Sequence, residues 1–322
     1  MWDETFKWDE SAKWDDEVDV VCTGSGVAGL ATAISVVDAG GEVFVADAGE
    51  VVADGQASVV VRSRIDPLRP WLGVQVDDDE TNEYFAALSS DLGPLTRTEW
   101  DVDVPIRVVD ERVPVDVGGP VKPFFGSRLR DWTARCLASP SGYLYTRVSD
   151  WHSITVSASD GDELEIAEIG SMTPDPDDIG GSVASWLSTQ AQLRGIKAYP
   201  DSTLQRIVFE EGRVVGAVFN TSDGPLSVRA RHGVVVATGG PHINSAVRQQ
   251  LVDASPLRVC LVGREASRFG RVELLTSDAL AEEPVPACRS MNRALHINLH
   301  ETRSQLPTLR CGKVNGYPAL GQ

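Results

Sequence analysis

The six residues Gly24-Ser25-Gly26-Val27-Ala28-Gly29 have the types and spacing that cradle a pyrophosphate. Gly24 permits a tight turn, Gly26 lets a phosphate approach the backbone, and Gly29 lets a following helix pack closely on the preceding strand. Ser25, Val27 and Ala28 complete the turn at a helix N-terminus, where unpaired N–H groups and the positive dipole end favour an anion. Asp47 stands eighteen residues after Gly29. A carboxylate there accepts hydrogen bonds from a ribose with free hydroxyls and repels a 2′-phosphate. Together these residues fit the adenosine and pyrophosphate parts of a dinucleotide. The plainer alternative is a glycine-rich turn that binds nothing.

That chemistry requires a strand before the turn, a helix after it and a second strand ending at the acid. Val18 to Thr23 is short, apolar and β-branched, as a strand buried on both faces should be. Val27, Leu30, Ile34 and Val37 follow the spacing of one helical face. Gly40-Gly41 ends that helix, and Val43 to Ala46 forms the second strand. The result is a βαβ unit of about the ~30 residues such units need.

The chain has 322 residues, 42% hydrophobic and 24% charged, which suits one large or two ordinary globular domains. Its net charge of −18 argues against a nucleic-acid partner or an anionic membrane surface. No apolar run approaches the ~18–20 residues needed to span a bilayer. The acidic N-terminus has no basic stretch of the kind that opens a signal peptide. Five scattered cysteines without CxxC pairs fit a reducing cytoplasm and no zinc site.

Residues 1–16 repeat Trp2-Asp3-Glu4, Trp8-Asp9-Glu10 and Trp14-Asp15-Asp16 at intervals of six. They read as an acidic tail, or as a strap whose tryptophans dock on the body or on a partner. Further on, Asp77–Leu88 predicts a surface helix, Val102–Val117 short strands or a hairpin, and Lys122–Leu137 a helix. Tyr143–Val148 and Ser153–Ser157 predict strands, and Ser171–Asp178 a linker. A second block starts at Gly180-Gly181 with a helix over Ser182–Leu193 and a strand over Ile196–Tyr199. Leu204–Glu210, Arg213–Asn220 and Leu226–Arg231 predict a three-stranded meander. A separate buried strand, Gly233–Ala237, then runs into the turn Ala237-Thr238-Gly239-Gly240. Arg258–Val262 and Arg271–Leu275 predict two more strands.

The opening βαβ unit together with this later block resembles the fumarate reductase/succinate dehydrogenase flavoprotein family, especially its 3-ketosteroid dehydrogenase-like branch. Val18–Asp47 is similar to that family's first FAD segment, with Asp47 where a Glu is usual. Gly180-Gly181 with its helix, the Glu211-Gly212-Arg213-Val214-Val215-Gly216 hairpin and Val234–Gly240 are similar to the second. Pro120–Gly126 is similar to a loop of the family's middle segment. The family's Gly-Gly-x-Ser-x-x-Ser-Gly-Gly stretch is answered in Asp54–Val61 only by Gly55 and Ser58.

The resemblance implies a three-layer α/β FAD/NAD(P)-binding (Rossmann-like) domain built from residues 17–75 and 176–256. Residues 76–175 would be a reduced inserted cap, after the tail 1–16 and before a C-terminal segment 257–322 of unassigned role. FAD is the implied cofactor, held by Gly24–Gly29, Asp47, Ala48, Gly55 and Ser58. In the family the residues around Leu204 pass the adenine, and Ala237, Thr238, Gly239 and Gly240 lie beside the cofactor. The implied reaction is dehydrogenation or reduction of a carbon–carbon bond next to a carbonyl or carboxylate in a small-molecule substrate.

Such chemistry needs a group that moves a proton and a group that polarises or binds the substrate. Tyr143 and Tyr145 offer phenols, Arg128 and Arg130 guanidinium groups, and His152 and His242 imidazoles. Each also has a purely structural reading, as a surface arginine, a strand-packing tyrosine or a loop histidine. His296 and His300 are spaced like helical metal ligands but lack a third ligand nearby, so no metal site is expected. A second function class is a nucleotide-binding relative that serves as a subunit or scaffold, and a NAD-dependent dehydrogenase is a weaker third. The short cap, the eroded second glycine stretch and the absence of the family's flavin-closing segment imply that the flavin face is covered by the tryptophan-bearing N-terminus, the C-terminal segment or a second chain, as an oligomer or partner subunit.

Overall fold

The first segment folds as its apolar spacing requires. In the computed structural model β1 (Asp16–Cys22), α1 (Val27–Asp38) and β2 (Val43–Ala46) form a βαβ unit. The structure describes residues 13–48, 76–89, 104–110, 126–146, 154–159, 161–237, 255–264 and 267–277. The remaining elements are α2 (Asp79–Ser89), β3 (Ile106–Asp110), α3 (Gly126–Ala138), β4 (Gly142–Tyr145), β5 (Ile154–Ala158), β6 (Glu163–Met172) and α4 (Ile179–Leu193). They are followed by β7 (Ala198–Tyr199), β8 (Thr203–Glu210), β9 (Arg213–Thr221), β10 (Gly224–Ala237), β11 (Leu257–Gly263) and β12 (Phe269–Thr276).

Among the described residues these strands make one twelve-stranded sheet. β7, β2, β1 and β10 lie side by side and parallel. β4 joins β10 to β12 by antiparallel pairing on both sides. β12 also pairs with β3 and β11, and the path β3-β5-β6-β11 returns to it. Those five strands therefore close on themselves.

α1 and α4 cover one face. Val27, Ala31 and Ile34 of α1 and Val183, Leu187 and Ala191 of α4 share a buried cluster with Leu257, Val259, Val272 and Leu274. Asp178 caps α4, its carboxylate accepting from the Gly181 amide at 3.0 Å. Arg194 then forks onto Asp38 at 2.7 and 2.9 Å, tying the C-terminal ends of the two helices together. The opposite face carries Phe44, Phe219, Leu204, Ile207, Trp132, Phe269 and Leu275 in a second cluster, to which β8 and β9 contribute. α2 meets β8 there, with the Thr81 hydroxyl accepting from the Ile207 amide at 2.9 Å.

Arg271 and Glu273 alternate with Val272 and Leu274 and so share the face of Phe269 and Leu275. Glu273 is fully buried and accepts from Arg107 at 2.7 and 3.0 Å and from Arg271 at 2.7 Å. Burial would raise its pKa, but the Arg107 hydrogen bond and the charges of Arg271 and Arg107 outweigh burial and hold it below the usual carboxylate range. Trp132 of α3 packs under Arg271 and Arg264, 5.6 and 5.1 Å from its ring, and donates its indole N–H to the Phe269 carbonyl at 2.8 Å.

Two expectations are corrected here. The third meander strand and the strand before the cofactor turn are one strand, β10, of fourteen residues. Val18 faces Ala230 whereas Val20 faces Gly233, so β10 carries one residue more than β1 across that interval. Gly233 sits at this bulge with φ 137°. The bend moves β10 from β9, its partner from Gly224 to Arg229, to β4, its partner from Val235 to Ala237. The second correction is β6, a ten-residue strand for which no strand was expected.

Gly233→Val is expected to force a β-branched residue into that left-handed conformation. It should destabilise the protein by about 1–3 kcal/mol, read as a lower urea midpoint at unchanged slope.

Candidate functional site

The site grows from the C-terminal ends of β1, β2 and β10. The Thr23 amide donates to the Val235 carbonyl at 3.0 Å, so the turn after β1 leaves the sheet beside the last residues of β10. A Cβ on Gly24 would stand 3.3 Å from the Cβ of Ala237. A Cβ on Gly29 would collide with the Gly24 carbonyl, so this glycine lets the helix close on the turn. Gly26 differs from both: its Cβ direction meets nothing within 4 Å. The chain itself would accept a side chain at Gly26, and the space it would fill lies at the helix N-terminus.

Gly26 is the N-cap of α1 and its carbonyl accepts from Leu30 at 2.9 Å. No side chain caps this end, and no acid lies in the first turn. Val27, Ala28 and Gly29 are buried, while Ser25 is partly exposed. An open cradle at an uncapped helix N-terminus suits a pyrophosphate.

Asp47 follows the last residue of β2 and is held through its backbone. Its amide donates to the Tyr199 carbonyl at 2.9 Å, and its carbonyl accepts from the Ser202 amide at 2.9 Å. Phe44 stacks on Tyr199 with ring centroids 4.4 Å apart. Ala48 is partly exposed beyond Asp47, and Leu204 is buried at the start of β8, two residues after Ser202. Asp47 and Leu204 are thus carried by neighbouring segments.

Tyr143 lies next to this turn. It pairs directly with Ala237 on one side and with Gly270 on the other. A Cβ at Gly270 would run into the phenol ring and hydroxyl of Tyr143, so the tyrosine lies across that glycine. Burial first, and the neighbouring Cys136, Glu165 and Glu273 after it, push the Tyr143 phenol far above its usual range. It therefore stays protonated, a hydrogen-bond donor and not a base. Tyr145 donates to the His232 carbonyl at 3.2 Å, five residues back along β10 from Ala237. Its hydroxyl is engaged away from the glycine turn.

Arg130 is exposed on α3. Arg128 also belongs to α3, and its side chain lies outside the described residues. Gly55, Ser58, His152, Thr238, Gly239, Gly240, His242, His296 and His300 lie outside the described residues as well. Among the described residues no three His, Cys, Asp or Glu side chains come together in a way that could hold a metal ion. Cys22, Cys136 and Cys260 are buried and free. No helix among the described residues is long and apolar enough to cross a membrane.

Sequence reasoning passed over Gly270, Tyr199 and Ser202. Gly270 had a signal, since a glycine inside a strand marks a close approach. Ser202 meets Asp47 through its backbone amide, which any residue offers, and had none.

Comparison with known proteins bears on the same region. The family model for the FAD binding domain matches residues 133–261, from α3 through β10 to β11. The match covers less than half of the chain and supports FAD as the cofactor. The segment Gly24–Asp47 precedes the matched range. No curated protein matches the chain.

Among solved structures, the chain is similar to the 3-ketosteroid-Δ4-(5α)-dehydrogenase of Rhodococcus jostii RHA1 at 19% identity and TM-score 0.28, covering 70% of this chain and 46% of that one. The 3-ketosteroid Δ1-dehydrogenase of Sterolibacterium denitrificans is 14% identical with TM-score 0.29, covering 68% and 47%. A flavocytochrome c3 fumarate reductase is 15% identical with TM-score 0.27, covering 67% and 33%. The chain spans less than half the length of each.

Gly26→Val tests the cradle. The side chain enters open space, so stability should change by no more than about 1–2 kcal/mol, the cost of a poor N-cap. FAD affinity measured by calorimetry should fall at least about tenfold, because the branched side chain occupies the approach to the backbone. Unchanged affinity would place the pyrophosphate elsewhere.

Proposed function

We propose that the chain is an FAD-dependent oxidoreductase that adds or removes hydrogen across a carbon–carbon bond next to a carbonyl or carboxylate. The observation that carries this reading is the convergence of the Gly24 turn, Ala237 and Tyr143 at one end of the β1–β10 pair. In the same reading residues 17–75 and 176–256 make a three-layer Rossmann-like domain, and residues 76–175 a reduced cap.

FAD, when bound, supplies the hydride acceptor or donor. The chain's own contribution is threefold. Gly24–Gly29 hold the pyrophosphate, Asp47 accepts from the ribose hydroxyls, and Tyr143 donates a hydrogen bond to the substrate carbonyl. A phenol pushed up by burial stays protonated and gives up its proton reluctantly, so its contribution is to stabilise charge that develops on the carbonyl oxygen.

An absorbance scan of purified protein, followed by reductant, tests the redox reading. A yellow chromophore that bleaches is expected, and a colourless protein that still binds adenine nucleotides would favour the subunit or scaffold role. Tyr143→Phe should retain FAD and lower turnover by about 10²–10³-fold, the usual worth of one hydrogen-bond donor to a developing oxyanion. Gly270→Ala, which displaces the same phenol, should lower turnover in the same direction. Turnover unchanged in both would remove Tyr143 from the chemistry.

We further propose that a second copy of this chain covers the flavin ring. The short cap motivates this, together with the sparse answer of Asp54–Val61 to the family's second glycine stretch. An exposed ring would forfeit apolar burial of roughly 25 cal/mol per Å² and the exclusion of water. The buried free thiols of Cys22, Cys136 and Cys260 support a reducing cytoplasmic setting. Light scattering with and without added FAD should show a dimer in the FAD-bound state. A monomer that protects the flavin from solvent quenchers would overturn the covering role.

A further inference from the structure

The tryptophan repeat meets the body of the protein at one described place. Trp14 lays the rim of its six-membered ring on Gly216 of β9, where an added Cβ would stand 2.7 Å from two ring carbons. The same Cβ would collide first with the Val228 carbonyl of β10, so Gly216 is kept small by the strand pairing as well as by the indole. One residue further on, the Asp15 carboxylate accepts from the Ser227 amide at 2.9 Å and from the Ser227 hydroxyl at 2.7 Å. The Asp15 amide in turn donates to the Ser227 carbonyl at 3.1 Å. The Ser227 hydrogen bonds, backbone first and hydroxyl second, hold the Asp15 carboxyl below its usual range. Gly216 and Ser227 thus form a notch with two complementary parts. A glycine floor takes an indole, and an amide with a hydroxyl takes the carboxylate that follows it.

The chain carries that ligand more than once. Lys7-Trp8-Asp9-Glu10 repeats Lys13-Trp14-Asp15-Asp16 six residues upstream, keeping both the indole and the carboxylate next to it. We propose that the Gly216–Ser227 notch is a Trp-Asp recognition site and that Trp8-Asp9 is its second ligand, replacing Trp14-Asp15 by a six-residue slip of the N-terminal segment. The slip loops out the six residues between Asp9 and Asp16, at the entropic cost of closing one short loop. β1 need not move, because its own ladder with β10 begins at Asp16 opposite Val228. The strap is therefore docked by a local ligand with a spare, and losing one copy leaves the notch filled.

Four forms of the full chain test this: the parent, W14A/D15A, W8A/D9A, and the variant carrying all four substitutions. Hydrogen exchange of the Ser227 amide and the urea midpoint are the readouts. W8A/D9A should match the parent in both, because Trp14-Asp15 holds the notch. W14A/D15A should fold, with its Ser227 amide still protected. The fourfold variant should exchange that amide about tenfold faster than W14A/D15A, with a lower midpoint, as a lost amide–carboxylate hydrogen bond predicts.

A fourfold variant no different from W14A/D15A in Ser227 exchange overturns the proposal. So does failure of W14A/D15A to fold, since Trp8-Asp9 would then not have taken over. As a direct measure, the peptide Lys-Trp-Asp-Glu added to the fourfold variant should restore Ser227 protection, and the same peptide with Asn for Asp should not. Equal effects of the two peptides would refute recognition of the carboxylate.

Discussion

The parallel pairing of β1 with β10 is the constraint on which the rest of the structure depends. It joins chain segments more than two hundred positions apart, as the Asp15–Ser227 contact shows with its separation of 212. Closing such a loop costs entropy that rises with the logarithm of its length, and the contact must repay it at once. The repayment is local and apolar: Val18, Val21 and Cys22 meet Ala230, Val234 and Val235, all buried. Only with this ladder in place does Gly24 come within reach of Ala237. The glycine turn and Tyr143 belong to different parts of the sequence, and this pairing, with that of β4 on β10, brings them together.

Much of this was legible because it depends on short-range periods. Val27, Leu30, Ile34 and Val37 announce α1, and Val43–Ala46 forms β2 with the bounds its composition implies. Gly233 was read as a break between strands, since a glycine at that position ends most strand patterns. In the structure it bends a single strand, and nothing local distinguishes a bend from an end. β6 was hidden because its alternation of Leu164 and Ile166 is broken before Ile169, where the register with β11 shifts between Val259 and Cys260. The sheet position of β4 was not legible at all. It follows from the pairing of Tyr143 with both Ala237 and Gly270, two contacts remote in sequence.

The candidate site shows the same division. The glycine turn could be read because each glycine has a separate steric reason, and the structure separates them: Gly29 closes, Gly24 contacts, Gly26 stays open. Tyr143 and Tyr145 could not be told apart in sequence, being two residues apart on one strand face. Their environments differ through what crosses the sheet. Tyr145 meets the His232 carbonyl, which engages its hydroxyl, whereas Tyr143 meets a glycine and a set of buried charges. The network around Glu273 places one carboxylate between two guanidinium groups close to that phenol, so the electrostatics of the donor are set by residues that need never touch substrate.

The closure of β12, β3, β5, β6 and β11 on themselves has a consequence for behaviour in concentrated solution. A sheet grows by adding strands to unpaired backbone at its margins, which is also how proteins aggregate. The closed strands offer no such margin over their paired lengths. Of the two margins that remain among the described residues, β7 is only two residues long and is followed by Pro200, which has no amide proton to offer. β8 is longer, but the Thr81 hydroxyl already takes the Ile207 amide on its outer side. Among the described residues the sheet therefore presents a newcomer with little to extend, and crowding should favour the folded sheet over strand-by-strand polymerisation.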